Sequence, residues 1–408
     1  MNDYNSARPS VMHIDLNSCF ATIEQQSRPM LRGRPVAILN RRSEHTSIIT
    51  ASYEAKAMGI GLGMSYREAK RLCPELVGLE SDPPKYRYVY HKLLAIMNDY
   101  SAHVRMKSID EGVIDFADTS HNIASRDLVD IGYEIKQRLK DEVGCAMRCN
   151  VGIAPNRFLA KVAAGLNKPD GLDVINAKNL RQTFSKLKLT DLTGIAKRYE
   201  ARLKAVDITT PLDFLDAKEE TLEKVVFKSV CGGQWYQRLR GWEVDRVDFS
   251  TKRVGRQYVL EDRNLTREAV LQRLHNLCES VGGRLRRLDK SARGVYVYAK
   301  SIDRGYWHAQ HTTSLPFCSD RSIYALAASL FAGAPEKIRE IGIHVYMLCE
   351  DSSQMVIFGD DLAREIAVTS AIDEINNRWG DRTLHSASTL ATGGALKEKI
   401  SFGSTRYL

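Results

Sequence analysis

The chain has 408 residues, 43% hydrophobic and 27% charged, the balance of a soluble globular protein with about two to four domains. That excludes a collagen-like chain, a mostly disordered one and a small scaffold held by disulfides. Lys plus Arg number 59 against 50 Asp plus Glu, and the resulting +9 favours a polyanionic partner over an acidic one. Residues 11–16, VMHIDL, read as a strand with Val11, His13 and Asp15 on one face and Met12, Ile14 and Leu16 on the other. Residues 17–26 follow as a helix with Phe20, Ile23 and Glu24 along one side. Residues 35–40 and 46–53 read as paired strands. A short helix over 54–58 stops at the glycine-rich stretch 59–63, and another over 65–73 stops at Pro74. A longer amphipathic helix is expected over 86–102, then two short strands over 104–116 that meet around Asp110, Glu111 and Gly112. A helix over 124–142, a strand over 149–154 and a helix over 156–166, ended by NKPDG, complete an α+β pattern.

Residues 176–245 carry almost no strand signal and read as small helices, with turn-then-helix candidates at 193–203 and 230–241. Residues 242–256 look like a linker entering a strand. Residues 251–300 hold twelve Lys or Arg and five Asp or Glu, so the excess charge of the chain is concentrated there. A basic amphipathic helix is expected over 268–288, with strands over 294–300 and 341–348. The tail from residue 351 has six basic and eight acidic residues. Eight cysteines include no C-x-x-C pair, and Cys145 and Cys149 have no second ligand pair at zinc-like spacing, so all eight read as reduced thiols. The N-terminal residues lack the basic-then-apolar layout of a signal peptide. The longest weakly polar run, Ser322 to Pro335, is too short to span a bilayer and reads as a buried helix. A cytoplasmic protein without a membrane partner is expected.

Three acids, Asp15, Asp110 and Glu111, are remote in sequence, and two of them lie at strand ends. Clustered carboxylates repel unless protons or a divalent cation neutralise them. Mg²⁺ takes one or two carboxylates plus substrate phosphates, and two such ions about 4 Å apart suit in-line displacement at phosphorus. The same acids also fit three solvated turn positions. Tyr53, Lys56 and Lys161 are phosphate-binding candidates, and Lys161 equally fits a solvated helix face. A glycine turn before a helix, Gly194 in TGIAKRYEARL, can offer backbone N–H groups to a DNA phosphate, or close an ordinary helical hairpin. SQMVIFGDD, 353–361, fits either a peptide anchor for a partner groove or a short strand on its own domain. There is no G-x-x-x-x-G-K-[ST] loop and no H-E-x-x-H.

HIDLNSCFATIEQ, TASYEAKAMGI, SIDEGVIDF and GIAPNRFLAKVAAGLNKPDG occur in that order. Together they resemble the motifs of the Y-family of translesion DNA polymerases, most closely the bacterial DinB-type branch, with some UmuC-like features. The resemblance runs from residue 11 to about residue 360. It implies a right-hand-like α+β fold: palm 1–26 and 80–170, small fingers 27–79, and a helical thumb with helix-hairpin-helix 171–241. A linker 242–250, an α/β little finger 251–349 and a tail 350–408 with a clamp-binding peptide follow. It also implies an error-prone polymerase without proofreading, acting on primer–template DNA and a dNTP as a monomer. Two Mg²⁺ ions, with Mn²⁺ as a substitute, would be held by Asp15, Asp110, Glu111 and the carbonyl of Leu16. Phe20 falls at the position of a steric gate against a ribose 2′-OH. Thr50, Tyr53, Lys56 and Lys161 would hold the triphosphate. Gly194, Lys252, Arg253 and Arg256 would grip DNA. Gln354, Met355, Ile357 and Phe358 resemble the peptide that docks on a β-type sliding clamp.

Lys56 departs from the usual arginine, offering a point charge in place of a planar fork. Asn17 stands where many DinB-type sequences have aspartate. The alternative reading is a catalytically weak or inactive DNA-binding adaptor that recruits repair factors to the clamp. A helix-hairpin-helix repair enzyme would leave SIDE and the Phe20 position unexplained.

Overall fold

The computed structural model describes residues 4–41, 43–117, 125–245, 252–260, 262, 264–303, 305–350 and 360–392. These fall into two compact units, one ending at residue 245 and one starting at residue 252.

In the first unit, β1 (Val11–Leu16) leads into α1 (Cys19–Ser27). Then come β2 (Val36–Leu39), β3 (Ile48–Ala51), α2 (Tyr53–Ala57), α3 (Tyr66–Leu72) and β4 (Val77–Glu80). After α4 (Pro83–Asn98) the chain forms β5 (Val104–Met106), β6 (Glu111–Asp115), α5 (Leu128–Glu142), β7 (Cys149–Ala154), α6 (Arg157–Leu166) and β8 (Leu172–Val174). The five-stranded sheet has the order β5-β6-β1-β7-β8, so β1 is central and antiparallel to both neighbours. Alternation does what the sequence predicts. Met12, Ile14 and Leu16 point into a core shared with α1, α4 and α5, while Val11 joins the second core with Phe158, Leu159 and Ala163 of α6. Gly152 lets α6 lie directly on β7, since a Cβ there would sit 2.0 Å from the Ala160 carbonyl.

β3, β2 and β4 make a separate three-stranded sheet packed on Ala55 and Ala69. The helix expected over 86–102 begins earlier, because Asp82 caps it and Pro83 occupies its first turn, where no N–H partner is needed. In this unit two strands escaped the sequence reading, β4 and β8, each pairing in parallel with an earlier strand. Residues 176–245 are helical as expected, with α7 (Leu180–Phe184), α8 (Lys197–Lys204), α9 (Pro211–Asp216) and α10 (Cys231–Leu239). Their core of Phe214, Phe227 and Trp235 packs against Phe158 of α6. Gly194 precedes α8 at φ +98, a left-handed turn that glycine allows.

The second unit is a four-stranded antiparallel sheet, order β11-β10-β12-β9, from β9 (Arg253–Val259), β10 (Lys290–Ser301), β11 (Tyr306–Phe317) and β12 (Ile338–Glu350). α11 (Arg267–Arg286) and α12 (Asp320–Phe331) cover the face carrying Val295, Val297, Ile341 and Ile343. The opposite face presents an aromatic ladder. Tyr296 stacks on His344 at 4.4 Å and on His308 at 5.3 Å, and Tyr298 on Tyr306 at 5.7 Å. The sequence set everything after residue 350 apart as a tail. Instead α13 (Asp360–Trp379) packs beside α11, where Arg286 grips Asp373 at 2.5 Å and Ser322 donates to Glu365 at 2.8 Å. Among the described residues no helix is long and apolar enough to cross a membrane.

Candidate active site

Strand register builds the site. Asp15 pairs with Glu111 on one side and with Asn150 on the other, so three polar residues form a row across β6, β1 and β7 at one end of the sheet. The row faces α6, and Lys161 on that helix reaches both Glu111 oxygens at 2.8 and 2.7 Å. His13 lies one row deeper on the same face, 1% exposed, with Nε2 3.3 Å from Glu111. Burial alone would raise the Glu111 carboxyl, but hydrogen bonds and charge from His13 and Lys161 outweigh it and bring it down to about 2.

Asp110 occupies the turn before β6. Its carbonyl accepts from the Leu16 N–H at 2.8 Å, which ties the end of β1 to this turn. Its carboxylate accepts from the Ser108 hydroxyl. Burial raises the Asp110 carboxyl; Ser108 pulls the other way, and the negative charges of Asp15 and Glu111 add to the rise. The donor atoms of His13, Asp15 and Glu111 lie within 4.8 Å of one another. Lys168 completes the picture, its ammonium 2.7 Å from Asp15. Two carboxylates each held by an ammonium, beside a third pushed toward protonation, form a donor set short of positive charge. A hard divalent cation fits it: the carboxylates supply oxygen ligands, and His13 is spent on Glu111.

The loop after β1 carries the next contacts. Ser18 adopts a left-handed conformation, φ 45, uncommon for a side-chain-bearing residue, and its hydroxyl accepts from Lys56 Nζ at 2.7 Å. Lys56 also lies 4.6 Å over the Tyr53 ring. Burial lowers the Lys56 ammonium, the charge of Lys168 lowers it further, and Asp15 opposes both. Burial and Asp15 raise the Tyr53 hydroxyl. Thus Tyr53, Lys56, Lys161 and Lys168 ring the acids, while Thr50 sits on β3 paired with Ile38. Asn17 is a buried brace: its amide donates to Asn150 at 2.8 Å and accepts from the Asp170 N–H at 2.8 Å.

Phe20 is buried, 0% exposed, and stacks on Tyr86 at 4.3 Å with 7° between the rings. Tyr86 donates to Glu24, which Lys85 also grips. Phe20 therefore lies in the core rather than on the surface. In the second unit, Lys252 and Arg253 are exposed. Arg253 belongs to the aromatic face, in register with Tyr346. Arg256 points the other way and donates to Ser280 on α11. Gln354, Met355, Ile357 and Phe358 lie outside the described residues.

Sequence reasoning missed His13 and Lys168. The alternation of VMHIDL already placed His13 on the face of Asp15. Lys168 was read only as part of a helix terminator, and nothing local reveals that the chain after α6 returns to β1.

Comparison with known proteins agrees with this fold. The sequence matches the impB/mucB/samB family over residues 14–165 and that family's C-terminal domain over residues 251–356. It is 32% identical over 402 residues to DNA polymerase IV of Moorella thermoacetica, covering 95% of this chain and 98% of the relative. It is 29% identical over 403 residues to DNA polymerase IV of Pelotomaculum thermopropionicum, covering 96% and 98%. Among solved structures, a Y-family DNA polymerase chimera of Dbh and Dpo4 superposes with a TM-score of 0.70 at 21% identity, over 84% of this chain and 99% of that one. An insertion ternary complex of Dbh DNA polymerase superposes at 0.60 with 21% identity and the same coverage.

Proposed function

This chain belongs to the impB/mucB/samB family and is a translesion DNA polymerase of the Y type, and from that premise we propose that the acid row at the end of the five-stranded sheet is its nucleotidyl-transfer centre. The observation that carries the reading is the cross-strand pairing of Asp15 with Glu111, beside Asp110 and under two ammonium groups. The substrates are primer–template DNA and a dNTP.

The cofactor class is a divalent cation, here Mg²⁺ with Mn²⁺ as a substitute, which Asp15, Asp110, Glu111 and the Leu16 carbonyl would hold. Such ions supply the charge that acidifies a primer 3′ hydroxyl and neutralises the departing pyrophosphate. The protein's own part is positional. β1 and β6 fix two carboxylates on adjacent strands, a rigid support that a loop would not give. Lys161 and Lys168, each about one third exposed, hold positive charge where a triphosphate would enter, and Tyr53 and Lys56 flank it. Lys56 is already tied to Ser18, so it contributes charge from a fixed point rather than a bidentate grip. Phe20 would discriminate against ribose by supporting the sugar pocket from within the core, where it is stacked on Tyr86.

Asn17 uses both ends of its amide on Asn150 and Asp170, which supports a bracing role in place of metal ligation. Gly194 and the uncapped N-terminus of α8 hold a duplex phosphate, and Lys252 and Arg253 add charge. The chain acts as a monomer on DNA, and Gln354, Met355, Ile357 and Phe358 dock it on a sliding clamp. The Gln354→Ala, Phe358→Ala double variant should lose clamp-stimulated synthesis and keep basal synthesis; equal stimulation would remove the peptide from that role. The main test is Asp110→Ala. Primer extension should fall at least about a thousandfold, roughly 4 kcal/mol of barrier, with primer–template affinity retained. Extension at the parent rate would refute the assignment.

A further inference from the structure

The positive charge concentrated in residues 251–300 does not sit mainly on the open, aromatic face of the second sheet. Arg256, Arg284, Arg286 and Arg287 instead line a cleft on the helical side, between α11 and α13, together with Arg321 and Arg364. The cleft has a volume of about 1200 Å³ and is lined by seven arginines, five carboxylates and no lysine. A merely solvated face would mix the two basic residues, whereas arginine alone is suited to bidentate contact with phosphate oxygens.

The carboxylates of the cleft are largely committed. Arg286 takes Asp320 at 2.8 Å and Asp373 at 2.5 Å. Arg382 takes Glu279, and Glu365 accepts from the Ser319 and Ser322 hydroxyls. Arg284 donates to the Gly255 carbonyl and Arg256 to Ser280, which fixes both guanidinium groups in the wall of the cleft. The exposed Arg287, Arg321 and Arg364 have no ion-pair partner among the described residues.

The lining runs along α13 from Arg364 to Asn377 and along α11 from His275 to Arg286. At 1.5 Å per residue the first run spans about 20 Å. That length suits a strand with about six phosphates at the stacked spacing, and the volume exceeds the roughly 300–1,000 Å³ of a small-molecule site. Tyr324 lines the wall, one ring face stacked on His275 at 3.7 Å and the ring half-buried, so a base has an aromatic surface beside the phosphate track.

We propose that this cleft binds the phosphodiester backbone of single-stranded nucleic acid, a second contact separate from the catalytic row. Its occupant is sequence-independent, since nothing in the lining is placed to read base edges in a duplex groove.

The test uses the full chain carrying Arg287→Ala, Arg321→Ala and Arg364→Ala, with binding of an oligothymidylate of about 20 nucleotides followed by fluorescence anisotropy across salt. The slope of log affinity against log salt should fall by about two, at about 0.7 per lost phosphate contact, and affinity at about 50 mM salt should drop at least tenfold. Affinity for a blunt duplex, and extension of a primer on a template with a one-nucleotide overhang, should be unchanged. The matching triple lysine variant should keep the salt slope, since it keeps the charges, but bind more weakly. Should the alanine triple variant fail to fold, each single alanine variant should lower the slope by about 0.7. Unaltered slope and affinity would overturn the proposal. Equal loss for the blunt duplex would reduce the arginines to a general field. A polyglutamate peptide competing as well as the oligonucleotide would point to an acidic protein partner instead, and tripolyphosphate competing as well would point to a small anion. None of these outcomes bears on the catalytic assignment, which Asp110→Ala tests separately.

Discussion

The two units handle charge in opposite ways. In the first, a few charged groups are concentrated at the end of one sheet, half-buried and locked in pairs at 2.7 to 2.8 Å. In the second, the open sheet face is built from tyrosine and histidine, and most of the arginine lies behind it on the helical layer. Dense paired charge suits chemistry, because burial and fixed groups at short range together set proton affinity: burial raises Asp110, while His13 and Lys161 bring Glu111 down against its burial. Dispersed arginine on a large surface suits a polymer of phosphates, where each contact is weak and the sum is set by salt.

That contrast can be broken from either side. The largest stability effect belongs to Phe20→Ala, which removes a fully buried ring and its stack on Tyr86. It should destabilise by about 3–5 kcal/mol in a denaturant titration. If the ring also carries sugar selection, ribonucleotide incorporation relative to deoxyribonucleotide should rise at least tenfold. A stability loss with unchanged selection would leave Phe20 as core alone.

A smaller effect concerns Asp320. One guanidinium, Arg286, serves both Asp320 and Asp373, and burial carries the Asp320 carboxyl up to about 6 despite that partner. A carboxyl raised in the folded state stabilises below its unfolded value, and that contribution is lost as pH rises through the folded value. Stability should therefore fall between about pH 4 and 6, by up to about 3 kcal/mol, and Asp320→Asn should flatten that fall. A parent profile that rises over the same interval would contradict the argument.

The smallest effect separates the two faces of β9. Arg253→Ala should lower the salt slope for duplex binding by about 0.9, one phosphate, whereas Arg256→Ala should leave the duplex slope unchanged. Equal slopes for both variants would erase the distinction between the faces.

The first unit was more legible than the second, for a physical reason. VMHIDL is buried on both faces at the sheet centre, so its alternation and its terminal carboxylate were visible in six residues. β7 was read to the residue, since every position of CNVGIA is buried. β11 went unread, because exposed His, Gln and Thr on its open face leave little apolar rhythm. α13 was hidden by the acidic balance of the tail, and its anchors, Arg286 and Ser322, lie more than forty residues away. The seating of Lys168 on Asp15 spans 153 residues, a closure that no local pattern encodes.

Catalysis here requires that cations be drawn to the row of Asp15, Asp110 and Glu111. The most direct test is anomalous diffraction from crystals holding primer–template, a non-reactive dNTP analogue and Mn²⁺. The expected result is Mn²⁺ coordinated by these three carboxylates, with the Lys168 ammonium moved off Asp15. Mn²⁺ bound elsewhere, with Lys161 and Lys168 still seated on Glu111 and Asp15, would contradict it.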